Sequence, residues 1–311
     1  MKFLLIVMLG ASTCAANAQP LSVVQKKSLQ AQEAVLKKQA EAIIFSEQFS
    51  ARLTADSLFT RGLVKALKEN NSFSYPFDSI RNVAKIYPDD SSFRIFTWQL
   101  IVSENFVRIH GAIQMKTADG SLKLIPLIDK SDLIVNQRDT ITDAQNWIGA
   151  VYTSMVQKEH NGKKYYTLFG FNFNNIRTDR KIIEVLTFEN EKPVFGGSNF
   201  YFESTNQYAK NPARIIMEFK EAVSPHLSYD KESRMIMMEH LVSETGDEKK
   251  KFTLVPDGDY EGFNWLNGKW IHVSKVFNDI TPEGKAPMPV PLHPQGEPLP
   301  PVKGKGGGNL N

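Results

Sequence analysis

The densest group of chemically suggestive residues is Asp257-Gly258-Asp259-Tyr260-Glu261-Gly262. Carboxylates at the first, third and fifth positions, with glycine at the sixth, imitate the start of a calcium loop. In such a loop, alternating oxygen ligands converge on one hard cation. The twelfth position is Gly268, where the loop requires a bidentate Glu. Pro256-Asp257-Gly258 also reads as a β-turn leading into a strand. The turn is the expected outcome, because alternation places Tyr260 and Gly262 on one strand face and Glu261 and Phe263 on the other. If Asp257, Asp259 and Glu261 do hold a cation, it is calcium; no other cofactor is implied.

The remaining candidates are weaker. None of the six histidines belongs to an H-x-H or H-E-x-x-H pattern. Glu239 and His240 are neighbours in an expected strand, so they point to opposite faces. Gly196-Gly197-Ser198-Asn199 lacks the second flanking glycine of a nucleophile elbow. The only cysteine is Cys14. Aromatic residues are plentiful, with 20 Phe in the chain. Trp147, Tyr152, Trp265 and Trp270, with Tyr165 and Tyr166, could line a groove that stacks a sugar or a peptide. In a β protein the same residues serve as core or cross-strand pairs.

These residues lie on elements that the pattern of the chain outlines. Leu29, Leu36, Ala40, Ile43 and Ile44 fall on one helical stripe, and Leu58, Phe59, Leu63, Ala66 and Leu67 on a second. Thr54 or Asp56 is expected to cap the second helix, and Asn70-Asn71 to end it. A helical region over 19–71 follows. From about residue 93 the period becomes that of strands, roughly twelve of them, within an antiparallel β domain at 72–278. Asp119-Gly120, Asn161-Gly162, Asp257-Gly258 and Asn267-Gly268 are the hairpin signals. The polar stretch 129–145 reads as a long loop or a short helix. The fold class is mainly β: a sandwich or barrel, alternatively an irregular propeller-like meander, with Trp98, Phe169, Phe171, Phe188 and Phe219 in its core.

The ends differ from the body. One positive charge at Lys2, a short apolar run and Ala16-Asn17-Ala18 make a signal peptide over 1–18, with cleavage expected after Ala18. Acylation of Cys14 is the alternative, and Thr13 before it fits a lipoprotein signal poorly. Cleavage removes the only thiol, which excludes thiol catalysis in the mature chain. No later run is long enough for a membrane helix. Residues 279–311 are rich in Pro and Gly and read as a disordered tail. Lys plus Arg number 37 against 34 Asp plus Glu, which gives no electrostatic case for nucleic acid.

Several strings together carry a resemblance: SFSYPFDSI at 72–80, FRIFTW at 93–98, WIGAVY at 147–152, YTLFGF at 166–171, KIIEVLTF at 181–188 and PDGDYEGF at 256–263. They resemble a group of uncharacterised, secreted, β-rich proteins of Bacteroidetes-type bacteria. The resemblance implies a shared fold and export from a Gram-negative cell to the periplasm or beyond; it brings no catalytic residues. The function expected is a non-catalytic envelope or secreted binding module, with an envelope polymer or a protein as partner. The alternative is an extracytoplasmic hydrolase of glycans or other polymers.

Overall fold

The computed structural model describes residues 21–203 and 211–277. The signal peptide and the proline-rich tail read from the sequence lie outside these residues. The first helix, α1 (Val23–Phe45), starts in a capping box. Ser22 Oγ accepts Gln25 N–H at 3.2 Å and Gln25 Oε1 accepts Ser22 N–H at 2.9 Å, satisfying two of the donors a helix start leaves open. Its buried stripe is Leu29, Glu33, Leu36, Ala40 and Ile43. The second helix, α2 (Phe49–Leu67), begins earlier than expected and has no side-chain cap. Thr54 instead donates to Ser50 O inside it. Asp56 is buried within it and accepts the Trp98 indole N–H at 2.8 Å. Leu58, expected on the core stripe, is 43% exposed.

Fifteen strands follow among the described residues. β1 (Ala84–Ile86), β2 (Phe93–Ser103), β3 (Phe106–Met115) and β4 (Lys123–Ile128) form an antiparallel sheet in chain order. The second sheet comprises β5 (Thr142–Asp143), β6 (Val151–His160), β7 (Lys163–Asn175), β8 (Thr178–Glu189) and β9 (Lys192–Phe195), in the order β5-β9-β8-β7-β6. Next along the chain are β10 (Phe200–Tyr201) and β11 (Arg214–Lys220). β11 pairs with β8 from Thr178 to Glu184, beyond the stretch of β8 used by β9. The third sheet adds β12 (Leu227–Asp230), β13 (Met235–Ser243), β14 (Leu254–Leu266) and β15 (Lys269–Val273), in the order β10-β15-β14-β13-β12. Among the described strands, only β10 runs parallel to its neighbour, β15. The described strands close no barrel.

The three sheets and the helix pair stack as four layers with three cores between them. On β2, Phe96, Trp98 and Leu100 pack under Phe59 and Leu63 of the helices, while Phe93 and Ile95 face the second sheet. Likewise on β8, Ile182 and Leu186 face the first sheet, and Ile183 and Val185 face the third. Both inner sheets are therefore buried on two faces, which is why FRIFTW and KIIEVLTF are nearly continuous apolar runs. Of the expected core, Trp98, Phe169 and Phe219 are buried, whereas Phe171 and Phe188 are only half-buried. Asn161-Gly162 and Asn267-Gly268 close hairpins with positive φ at both residues, the conformation whose twist suits a two-residue connection.

Candidate functional site

Asp257-Gly258 is not a hairpin connection. It lies inside β14, where residues 257–259 stand opposite His240 alone. The register jumps from Glu239↔Tyr260 to Leu241↔Pro256, which makes a bulge. Gly258 takes φ +91°, in the region glycine enters without strain. The bulge turns the Asp257 carboxylate onto His240: Asp257 Oδ2 and His240 Nδ1 are 2.8 Å apart. Glu261 Oε2 meets His272 Nε2 at 2.7 Å, and Asp259 approaches Lys275 at 3.9 Å. The three carboxylates thus take three different basic partners rather than one cation. Among the described residues, no three His, Cys, Asp or Glu are placed to share a metal ion.

Burial opposes charge on His240, but the Asp257 carboxylate, backed by Glu261 and Asp259, outweighs it and raises the imidazole pKa. The pair's contribution is therefore full below the ordinary histidine value and fades as pH rises through the raised one. Millimolar calcium is expected to leave the melting temperature unchanged, in the native chain and in Asp257→Ala/Asp259→Ala alike. A calcium-dependent rise that the double substitution removes would restore the cation loop.

The four aromatic candidates do not share a groove. Trp147, Tyr152 and Trp270 are fully buried. The Trp147 indole donates to Tyr152 Oη at 2.7 Å, and that hydroxyl donates to Glu184 Oε1. Glu184 Oε2 accepts Arg214 Nε at 2.9 Å, and both charged side chains are completely enclosed. Burial, then the Glu184 charge and hydrogen bond, push the Tyr152 phenol pKa far up. Trp270 donates to Thr167 Oγ1 at 2.8 Å in the next core. Trp265, half-buried, packs against Trp270 and Tyr165 with ring centres 5.1 and 5.4 Å away. These residues therefore build the two inter-sheet cores, and no ligand reaches the buried three in this conformation.

A cleft of about 690 Å³ opens where β11 of the second sheet meets β13 and β14 of the third. Its apolar part is Ile215, Met217, Met238, Leu241 and Leu254, and its rim carries Arg180, Glu218, Glu239, Glu248 and Lys251. His240 and Glu261 reach it from the bulged strand pair, and His272 from β15. The segment 135–138 forms a further wall. That segment is pinned by Arg214, whose NH1 donates to Gln137 O and, at 2.6 Å, to Thr140 O. The cleft's shape thus depends on the buried Glu184–Arg214 pair behind it.

Two of the cleft carboxylates, Glu218 and Glu261, are already engaged. Glu218 accepts from Asn174 at 3.1 Å, Thr178 at 2.8 Å and Arg180 Nε at 2.9 Å. Glu261 is on His272. The carboxyl with the largest upward shift, Asp179, does not line the cleft. It is buried on β8 opposite Phe219, and burial first, then Glu221, push its pKa to about 6. A raised carboxyl favours the native state at low pH, and that advantage is lost as pH climbs from about 4 through 6. Two units are worth about 3 kcal/mol at most, and solvent at the sheet margin reduces this to about 1–2. Asp179→Asn is therefore expected to stabilise the chain by about 1–2 kcal/mol at pH 8 and to be neutral near pH 4. Urea unfolding at the two pH values measures this; destabilisation at pH 8 would refute it.

The sequence reading named Glu261 at this cleft and missed Arg180, Met217, Met238 and Lys251. They come from separate segments with no common spacing. Compared with known protein families, curated proteins and solved structures, the chain matches none.

Proposed function

We propose that the protein is an exported binding module whose ligand seats in the cleft between β11 and the β13–β14 pair. The observation that carries this reading is the composition of the cleft. An apolar floor containing two methionines, which adapt to irregular ligands, lies under a rim bearing both signs of charge. Its glutamates Glu218 and Glu261 are held by Arg180 and His272. Export rests on the signal-peptide pattern at 1–18 and on the resemblance to secreted β-rich proteins. The intact mass of the exported product is expected to begin at Gln19.

Hydrolysis is the second reading, favoured by one observation: Glu218, Glu239, Glu248 and Glu261 all line this cleft. A glycosidase needs one carboxyl as acid and another as base or nucleophile across the scissile bond. The test is to screen the mature chain against peptide and glycan panels, repeated with Lys251→Glu and Glu248→Lys, both on the exposed rim. The binding reading expects at least one class to bind and the substitutions to weaken it about tenfold or more, which is about 1.4 kcal/mol, with melting unchanged. No ligand in any class, or ligands indifferent to the rim, would overturn it. Turnover of a panel member that Glu239→Gln or Glu261→Gln abolishes would replace it with hydrolysis.

A further inference from the structure

The edge of β11 that faces the cleft carries unused backbone groups. β11 pairs with β8 on one side only, from Arg214↔Glu184 to Lys220↔Thr178 without a bulge. The N–H of Arg214 is not given to β8; it is donated to Arg138 O at 3.2 Å, on the opposite edge. Antiparallel ladders alternate, so Ile216 and Glu218 also turn N–H and C=O away from β8. Neither backbone has a hydrogen-bond partner among the described residues. Both residues are half-buried and line the cleft.

The same edge is occupied just upstream. β5 pairs with β9 at Thr142↔Phe195, and residue 138 continues that line to meet Arg214. The line stops there, and the space beside Ile216 and Glu218 is the cleft. Two donors and two acceptors alternating along about 7 Å of strand match the edge of another extended chain.

We propose that the β11 edge at Ile216 and Glu218 takes up an extended peptide segment of a partner protein as an added strand. This rests on the cleft being the binding site and names what it binds. Paired strand residues share a face, so side chains on the incoming segment are sorted by position. The residue opposite Met217 lies on the side of Met238 and Leu254 and is apolar. The residue opposite Glu218 lies on the side of Arg180 and Gln137 and is polar, while the one opposite Ile216 shares the face of a side chain packed on the core between the first two sheets. The recognised pattern places an apolar residue opposite Met217 and a polar one opposite Glu218, with affinity supplied by the main chain.

Hydrogen exchange on the mature chain, read by NMR, tests this together with a library of end-capped octapeptides that alternate polar and apolar positions. In the free protein, the amides of Ile216 and Glu218 should exchange at least about 100-fold faster than those of Ile215, Met217 and Phe219, which face β8. A bound library member should slow both amides at least tenfold. N-methylation of one alternate set of its residues should weaken binding tenfold or more, while N-methylation of the other set is tolerated, because only one set turns its N–H groups to β11. Protection of both amides without peptide would overturn the proposal, as would a library with no binder or a binder indifferent to both methylation sets. A glycan or peptide that fills the cleft while both amides keep exchanging would overturn strand addition and leave the binding reading standing. Absence of any cleft ligand would remove both.

Discussion

Glu184→Gln is expected to lower the unfolding free energy by about 3–5 kcal/mol, because it strands a buried guanidinium without its counter-charge. Arg214 is fully enclosed. Its remaining contacts are neutral: Thr142 Oγ1 at 3.2 Å, Phe195 O at 3.3 Å and the Gln137 and Thr140 carbonyls. Carbonyl dipoles orient the guanidinium and do not neutralise it. Tyr152→Phe removes only the hydroxyl between Trp147 and Glu184 and should cost about 1–3 kcal/mol. Glu184→Gln combined with Arg214→Met should recover part of the loss, since an apolar pair needs no compensation. Urea denaturation of the three variants measures the order. A loss under about 1 kcal/mol for Glu184→Gln would mean that solvent reaches the pair. If the cleft is the binding site, the same substitution should also weaken binding there, because Arg214 pins the 135–138 wall through Gln137 O and Thr140 O.

Trp270→Ala should cost at least about 4 kcal/mol, the sum of a large core cavity and an orphaned hydroxyl on Thr167. The indole is fully buried, between Trp265 at 5.1 Å and Tyr229 at 6.2 Å, and Thr167 beneath it is buried as well. Trp265→Ala, at a half-buried position, should cost about 1–2 kcal/mol. Thermal melting separates the two. If Trp270 were a stacking platform for a ligand, its truncation would leave melting unchanged and remove binding instead.

Most of the architecture was legible because period and turn chemistry are local. All twelve expected strands correspond to observed ones, and the Asn161-Gly162 and Asn267-Gly268 connections are hairpins. The missed strands, β1, β5 and β9, have two to four residues each, too few to show a period. β9 follows an Asn190-Glu191 turn with positive φ at both positions, where glutamate gives no turn signal. The Asp257-Gly258 dipeptide misled because a bulge and a hairpin ask the same conformational freedom of glycine; only the partner strand distinguishes them. The buried carboxylates show the same limit. Asp56 and Glu33 stand on the apolar faces of their helices, and what makes them tolerable is Trp98 and Tyr75, both about forty residues away. Tyr75 donates to Glu33 at 2.5 Å, a contact that no spacing rule foresees. The cleft was hidden for a related reason: its lining is drawn from the 135–138 segment, β11, β13 and β14, which no spacing rule brings together.

The stacking of layers has a consequence for how the molecule comes apart. The helix pair and the third sheet each rest on a single core, whereas each inner sheet separates two. Peeling off an outer layer exposes one apolar interface; withdrawing an inner one exposes two at once and leaves its neighbours unsupported. Opening free energies should therefore rise from the periphery inward, with β2 and β8 opening only as the whole chain does. β11 lies at the boundary of these regimes, paired to the most resistant strand by one edge and, among the described residues, bonded on the other only where Arg214 meets Arg138. Its position gives the cleft a firm backing that local fluctuation does not remove.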